Sequence, residues 1–438
     1  MTLHRRLRLG DAILLVIGNV VGAGIFTTSG FLAGELPQPL GFIGVWILGG
    51  LLTLCGALTY AELAGMFPQA GGDYQFLKGT YGAWAGFLLG WVNFWIIIPG
   101  SMAALSLALV GYLNPFVGLQ GIGSEKLLAL LIITLFAGIN YRGIRWGGTT
   151  QDFITLGALA ILAVFTLGGL TLGRGNWQHF ISASPDVFSP FRMLGSPMIA
   201  VIFTYSGWFA SVYVGSEVLN PERNLPRSLI WGTLIITVLY TLMNITYLYA
   251  LPLAELKGAV NVGQLAAGRL FSPFFAQILT LAIILAIASS INATLLAGSR
   301  IFYAMAEDRI FWSFCKRLHP QFRTPHWAIL SQAVLSGVLV WAGTFDQLLS
   351  AVVLVMLLTS IATGGAHLIL RWKKPDRIRP YLTWGYPAVP VLFIFFYGWI
   401  GGQVFWAKPE VALTGLLLTA SGLPFYFFWA HSGKEKNN

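Results

Sequence analysis

Apolar residues run along this chain in long unbroken stretches, separated by brief polar and basic segments. A helix needs roughly 20 residues to cross about 30 Å of hydrocarbon. By that measure the pattern predicts about twelve spanning helices. They fall near Asp11–Leu32, Leu40–Met66, Tyr81–Leu113, Lys126–Asn140, Thr149–Leu172, Gly195–Glu217, Leu229–Ala250, Pro273–Met305, Trp327–Gly343, Gln347–Leu370, Ala388–Phe405 and Val411–Trp429. The fourth run is short, stopping before Arg142. Backbone groups in lipid must be satisfied within the segment, so runs of this length are helices. No stretch between them has room for a soluble domain. Residues 1–430 therefore read as one all-α polytopic domain, with a tail at 431–438.

Composition agrees with the pattern. Hydrophobic residues make up 56% of the chain and charged residues 10%, against about 25% charged in soluble proteins. The net charge of +10 raises nucleic-acid binding, but the basic residues form no patch with interleaved aromatics. They lie between the apolar runs. With the N-terminus inside, the inner segments hold 20 of the 26 Lys and Arg. That bias predicts an even number of spans, both termini in the cytoplasm, and a cell (plasma or inner) membrane location. The basic start, Arg5, Arg6 and Arg8, leads into an apolar run that passes any plausible cleavage point, so we read it as a retained span. Cys55 and Cys315 stand far apart without metal-type spacing, and free thiols are expected.

Two runs are interrupted. The first carries Gly18, Gly22 and Gly24 in GNVVGAGIF, and the sixth carries Ser206 and Gly207 in TYSGW. They open two five-helix blocks, about 10–172 and about 195–370, which face opposite ways because five is odd. Two more helices follow at about 386–430. Glycines in membrane helices often serve only close packing; breaks at matching positions of an inverted pair point to a transporter's binding site.

A break exposes backbone dipoles. N-terminal ends of half-helices are partly positive and C-terminal ends partly negative. An α-amino acid carries the complementary pair. Amides at Gly22, Ala23 and Gly24 would bind its carboxylate, and carbonyls near Asn19, Val20, Phe203, Thr204 and Ser206 its ammonium.

These motifs resemble the amino acid–polyamine–organocation superfamily. GNVVGAGIF is similar to its first-span signature. TYAELAGMFPQAGGDYQFLKGTYG resembles its second span and re-entrant loop, and FTYSGW with SEVLNPERNLPRSL its sixth span and following loop. INATLLAGSRIFYAMAEDR and ILRWKKPDRIRPYLTWGYPAVPV extend the likeness through the eighth span and into the eleventh. The L-type amino acid transporters and their bacterial relatives are the nearest branch. The resemblance implies an inverted-repeat fold, alternating access, and Phe203 as an aromatic gate, with Gly207, Trp208 and Phe26 at the pocket.

Three departures matter. The lysine usual in the fifth span of that branch is Ala158 here. In the eighth span, Ala286, Ser289 and Ser290 resemble the sodium site of more distant cousins, with the Gly18 and Val21 carbonyls as companions. Phe209 replaces an asparagine that often follows the sixth-span tryptophan. Sodium coupling is one expectation; uncoupled exchange, with hydroxyls filling the vacant site, is the other. The bland alternative is that both serines bond back to their own helix.

No ionisable residue is expected at mid-depth, since Asp11, Glu62, Asp152 and Glu217 all fall toward cytoplasmic ends. Intramembrane charge marks function, so its absence points to neutral amino acids, carried by a symporter or exchanger. Glu62 is expected to pair with Lys78 or Arg227, and Glu217 with Arg223, if they pair at all. His326 and His367, at span ends, offer no metal or proton role, and Asn93 reads as a packing contact. No convergent His, Asp, Glu or Cys set suggests an enzyme or a resident cofactor. A substrate-sensing receptor, a channel, or a permease for another small amine is the rival. Residues 114–125 hold no cysteine, so no disulfide-linked ancillary subunit is expected.

Overall fold

The computed structural model describes residues 3–181, 190–259, 261–342, 345–407 and 409–435. Among these, eight helices are long and apolar enough to cross a membrane, and Leu9–Val20 with Gly24–Glu35 form a ninth span bent by 44°. The sixth run is split. His326–Ala342 and an apolar stretch within Pro409–Glu435 supply the remaining two. Each predicted run therefore meets a helix. The short fourth run gains a turn at its start and becomes Ile122–Tyr141. Lys126 can sit within it because its ammonium reaches the Trp341 carbonyl at 3.1 Å. The last helix continues through 431–435, where a tail was expected; Lys436 to Asn438 lie outside the described residues.

Proline sets several helix starts. Pro39, Pro221 and Pro273 open the second, seventh and eighth spans, where a missing N–H costs nothing. The eighth span, Pro273–Glu307, has 35 residues. It measures roughly 52 Å, long enough to cross the bilayer and emerge beyond it. The first half of span one packs against spans five, seven and eight, and span two lies along span seven. Between spans two and three, Asp73–Tyr81 forms a short helix that does not cross. The face that carries Leu7 is called the terminal face, and the opposite one the distal face.

Both breaks are real. Val21, Gly22 and Ala23 lie between the halves of span one. In span six, helix Ser196–Thr204 stops, and turns lead to Ala210–Tyr213 and a 3₁₀ turn at Gly215–Glu217. Its second half is thus shorter and less regular than the run to Glu217 suggested. Gly207 has φ +95, a conformation that glycine alone adopts without strain. A Cβ there would stand 2.7 Å from Asn19 Nδ2 and 3.0 Å from its carbonyl oxygen.

Candidate functional site

The breaks meet at a cavity of about 690 Å³. Span one contributes Asn19, Val20, Gly22, Ala23, Gly24, Thr27, Thr28 and Phe31; span six contributes Phe203, Thr204, Ser206, Gly207, Phe209 and Tyr213. Spans three, eight, ten and eleven complete the wall with residues such as Asn93, Leu105, Ser290, Thr294, Met356 and Val404. Among the described residues, no Asp, Glu, Lys, Arg or His lines it. Most of the wall lies on the distal halves of its helices, so the cavity opens to the distal face.

The breaks hold bare amides. Among the described residues, the N–H groups of Gly22, Ala23 and Gly24 have no intramolecular acceptor. The carbonyls opposite are already partly used. Tyr240 donates to Val20 O at 3.0 Å and reaches Thr204 O at 3.5 Å. Ser290 donates to Gly18 O and Asn19 O at 3.0 and 3.1 Å. Each carbonyl keeps a second lone pair. Asn19 ties the two breaks together, donating to Gly207 O at 3.0 Å and accepting from Thr294 at 3.0 Å.

Not every expected pocket residue is there. Phe26 is fully buried and packs beside Gly263, away from the cavity. Gly24, Thr27, Thr28 and Phe31 share one helical face, and Phe26 points off it. Trp208 also misses the main cavity; with Phe203, Ser206 and Phe209 it lines a small neighbouring pocket. Its ring meets Tyr60 edge-on at 4.7 Å, in a floor that also contains Phe209 and Tyr213. Phe203 stands half-buried on the cavity wall.

The would-be ion site is filled by its own hydrogen bonds. Ser289 and Ser290 do not bond back to their helix. Ser289 meets Gln151 Nε2 and Thr155 Oγ1, each at 2.7 Å, and Ser290 bonds across to span one. Gln151 in turn accepts from Asn292 at 2.9 Å, and Asn140 donates to Asn292 at 2.7 Å. This cluster closes over Gly18, where any Cβ would collide with Gln151, Thr155 and Ser289. Ala158 lies buried one turn along span five, and Ala286 is buried too. A cation there would meet a side-chain N–H of Gln151 and a Gly18 carbonyl already bonded to Ser290. Both serine hydroxyls are thus engaged within the protein, beside the Gly18 carbonyl.

Below the cavity, the terminal face is locked by ion pairs that differ from those expected. Glu62 pairs with neither Lys78 nor Arg227. It accepts from Nε and Nη2 of Arg371 at 2.7 and 2.6 Å, lies 3.0 Å from Arg379 and accepts from Thr383 N at 2.8 Å. His367, buried, stands 3.2 Å from the same carboxylate and 3.0 Å from Thr383 Oγ1. Glu217 pairs with Arg300, at 2.8 and 3.0 Å, both side chains 1% exposed. The Glu217 carbonyl accepts from Arg6 N and Leu7 N, and Leu219 N donates to Leu7 O. Lys78 bonds to Asp308 at 2.6 Å. Sequence distance hid these partners, since nothing along the chain couples Glu62 to Arg371.

One buried carboxylate has no cation. Asp73, between spans two and three, is 2% exposed. Tyr60 donates to its Oδ2 at 3.1 Å, and Oδ1 has no partner among the described residues. Burial pushes this carboxyl from 3.8 up to about 7. The folded state then holds the proton more tightly than the unfolded one. The stabilisation is complete below the ordinary value of 3.8 and is lost as pH rises through about 7. Purified protein should therefore lose thermal stability between about pH 5 and about pH 8. Asp73→Asn should reduce that slope; an unchanged slope would refute the assignment.

Sequence reasoning missed two further features. Asn93–Ile97 forms a π-turn in span three, and Asn93 and Ile97 line the cavity. The clue was Pro99, which cannot donate to the preceding turn. Asn93 itself donates to Leu89 O at 2.9 Å while facing the cavity. The second omission was the threonine pair Thr27-Thr28, whose hydroxyls stand out in an apolar run.

Comparison with known proteins agrees with this geometry. A family model described as amino acid permease matches residues 7–420. The serine/threonine exchanger SteT of Bacillus subtilis (strain 168) is 30% identical over 428 residues, covering 97% of each chain. The human large neutral amino acids transporter small subunit 2 is 29% identical, over 99% of this chain and 82% of its own length. The human Asc-type amino acid transporter 1 is 28% identical, over 99% and 84%. With its two broken spans, bare amides and full-length match, this multi-pass membrane protein belongs to the amino acid permease family.

Proposed function

We propose that the chain exchanges neutral L-amino acids by alternating access, without sodium. One observation carries the reading: unpartnered amides face partly free carbonyls in a cavity whose described wall residues include no ionised side chain. The carboxylate would lie on Gly22, Ala23 and Gly24. The ammonium would lie against carbonyls of Asn19, Val20, Phe203 and Thr204, with Ser206 beside them. Phe203 would close over the substrate from the distal side, with Gly207 allowing the approach and Trp208 part of the floor beneath. The blocks 10–172 and 195–370 would form the inverted repeats, with 386–430 outside them.

The hydrogen-bonded cluster of Gln151, Thr155, Ser289 and Ser290 supports uncoupled exchange. It supplies at Ala158 and Gly18 the bridging that an ion or a lysine ammonium gives relatives. The terminal face would be cytoplasmic, because 20 of 26 basic residues lie on that side, in a cell membrane. The structure would then be the outward-open state, with the ion pairs as the closed cytoplasmic gate. Residues 114–125 contain no cysteine, which supports a chain that works without a disulfide-linked subunit, although relatives are titled small subunits.

Proteoliposomes test this. Uptake of labelled neutral amino acids should rise when unlabelled ones are inside, and should persist when choline replaces sodium. Sodium dependence would overturn the coupling. A preference for arginine or glutamate would overturn the substrate class. Binding without uptake would favour a receptor.

A further inference from the structure

The cavity hydroxyls reveal which side chain the site prefers once their protons are counted. A hydroxyl has one proton to give and two lone pairs to accept with. Thr204 spends its proton on Ala200 O at 2.8 Å. In its 2.9 Å contact with Thr28, Thr28 must therefore be the donor. Thr27 spends its proton on the Ala23 and Gly24 carbonyls, at 3.2 and 3.3 Å. Ser290 spends its own on Gly18 and Asn19, and Thr294 on the Asn19 side chain. All five line the cavity. What they offer the cavity is lone pairs. Among the described wall residues, Ser206, Ser101, Ser196 and Tyr213 keep free hydroxyl protons and Asn93 one amide proton, but none of these is hydrogen-bonded to the Thr28–Thr204 pair.

The location suits a substrate side chain. A Cβ on Gly24 would lie 3.0 Å from Thr204 Oγ1, so the hydroxyl pair adjoins the amides assigned to the carboxylate. Thr28 sits one turn further along the same helix face. A group on the substrate's β-carbon would face this acceptor array. A hydroxyl there could donate to it. A methyl group would leave lone pairs dry and unmatched, and a carboxylate would be repelled.

We propose that Thr28, backed by Thr204, makes this permease select amino acids whose side chain donates a hydrogen bond close to the β-carbon, as in serine and threonine. The inference rests on the amino acid reading above and refines its substrate class. Relative to an isosteric apolar side chain, such a bond gives roughly three- to tenfold discrimination.

The experiment is competition against labelled serine uptake in proteoliposomes. Threonine should compete roughly three- to tenfold better than isosteric valine, and serine better than 2-aminobutyrate by a similar factor. O-Methylserine, which keeps the oxygen and loses the proton, should fall with the apolar analogues. In Thr28→Val the threonine-to-valine ratio should approach unity, while Thr28→Ser should retain it. Ratios within one preparation do not depend on how much protein folds. If valine matches threonine in the unaltered protein, or O-methylserine matches serine, the proposal fails. A ratio that survives in Thr28→Val also defeats it. If no neutral amino acid competes at all, the permease reading fails instead.

Discussion

Replacing Glu217 with alanine is expected to destabilise the protein by about 3–5 kcal/mol. The change would leave Arg300, 1% exposed, without the one carboxylate that pairs with it among the described residues. Its remaining contacts, to Leu296 O and Ser299 Oγ, cannot neutralise a guanidinium inside a helix bundle. Pairing is what permits such a charge to be buried. Removing both charges avoids the orphan, so Glu217→Leu with Arg300→Met should recover most of the loss. Thermal unfolding of the purified single and double variants measures this. Equal destabilisation of the two would show that the pair itself, rather than the stranded charge, sets the cost. The doubly apolar variant should also shift the rate of exchange, since the pair joins span six to span eight across the closed side of the cavity.

Gly207→Ala should lower uptake by at least about 100-fold. Two independent effects converge on this position. Its φ of +95 disfavours any Cβ, and that Cβ would press on the Asn19 amide at 2.7 Å. Asn19 would give way, and with it the bonds to Gly207 O and Thr294 that register the two breaks. A displacement of about 1 Å at a binding centre is enough for a loss of this size. Gly398→Ala in span eleven, where nothing stands within 4 Å of the added carbon, is the control and should transport normally. Near-normal uptake by Gly207→Ala would mean that the break bends independently of Asn19.

The readable part of this molecule was the part written in local composition. Apolar runs located every span, because lipid imposes length and polarity on each segment separately. A glycine cluster located the first break and the Ser206-Gly207 pair the second, because backbone without a Cβ is a local requirement. Partnership was different. Glu62 and Arg371 lie 309 positions apart, and only the packing of spans two and ten brings them together. The error at Phe26 was one of helical phase: a residue can be two places from Gly24 and still face the opposite way. The serines of span eight were legible as polar residues in lipid. Their partners became visible only in the packed structure, with Gln151 and Thr155 beside Ser289 and span one beside Ser290.

The contact at Leu7 has a consequence for how the molecule is handled. Glu217 grips the opening residues with its main chain and span eight with its carboxylate, so neither hold can slip while the other stays fast. On the alternating-access reading, the closed side would release as a unit, with Arg6 and Leu7 as working parts of the latch. Shortening the chain to Leu7, or fusing a bulky tag directly before it, should be felt in turnover long before it is felt in folding.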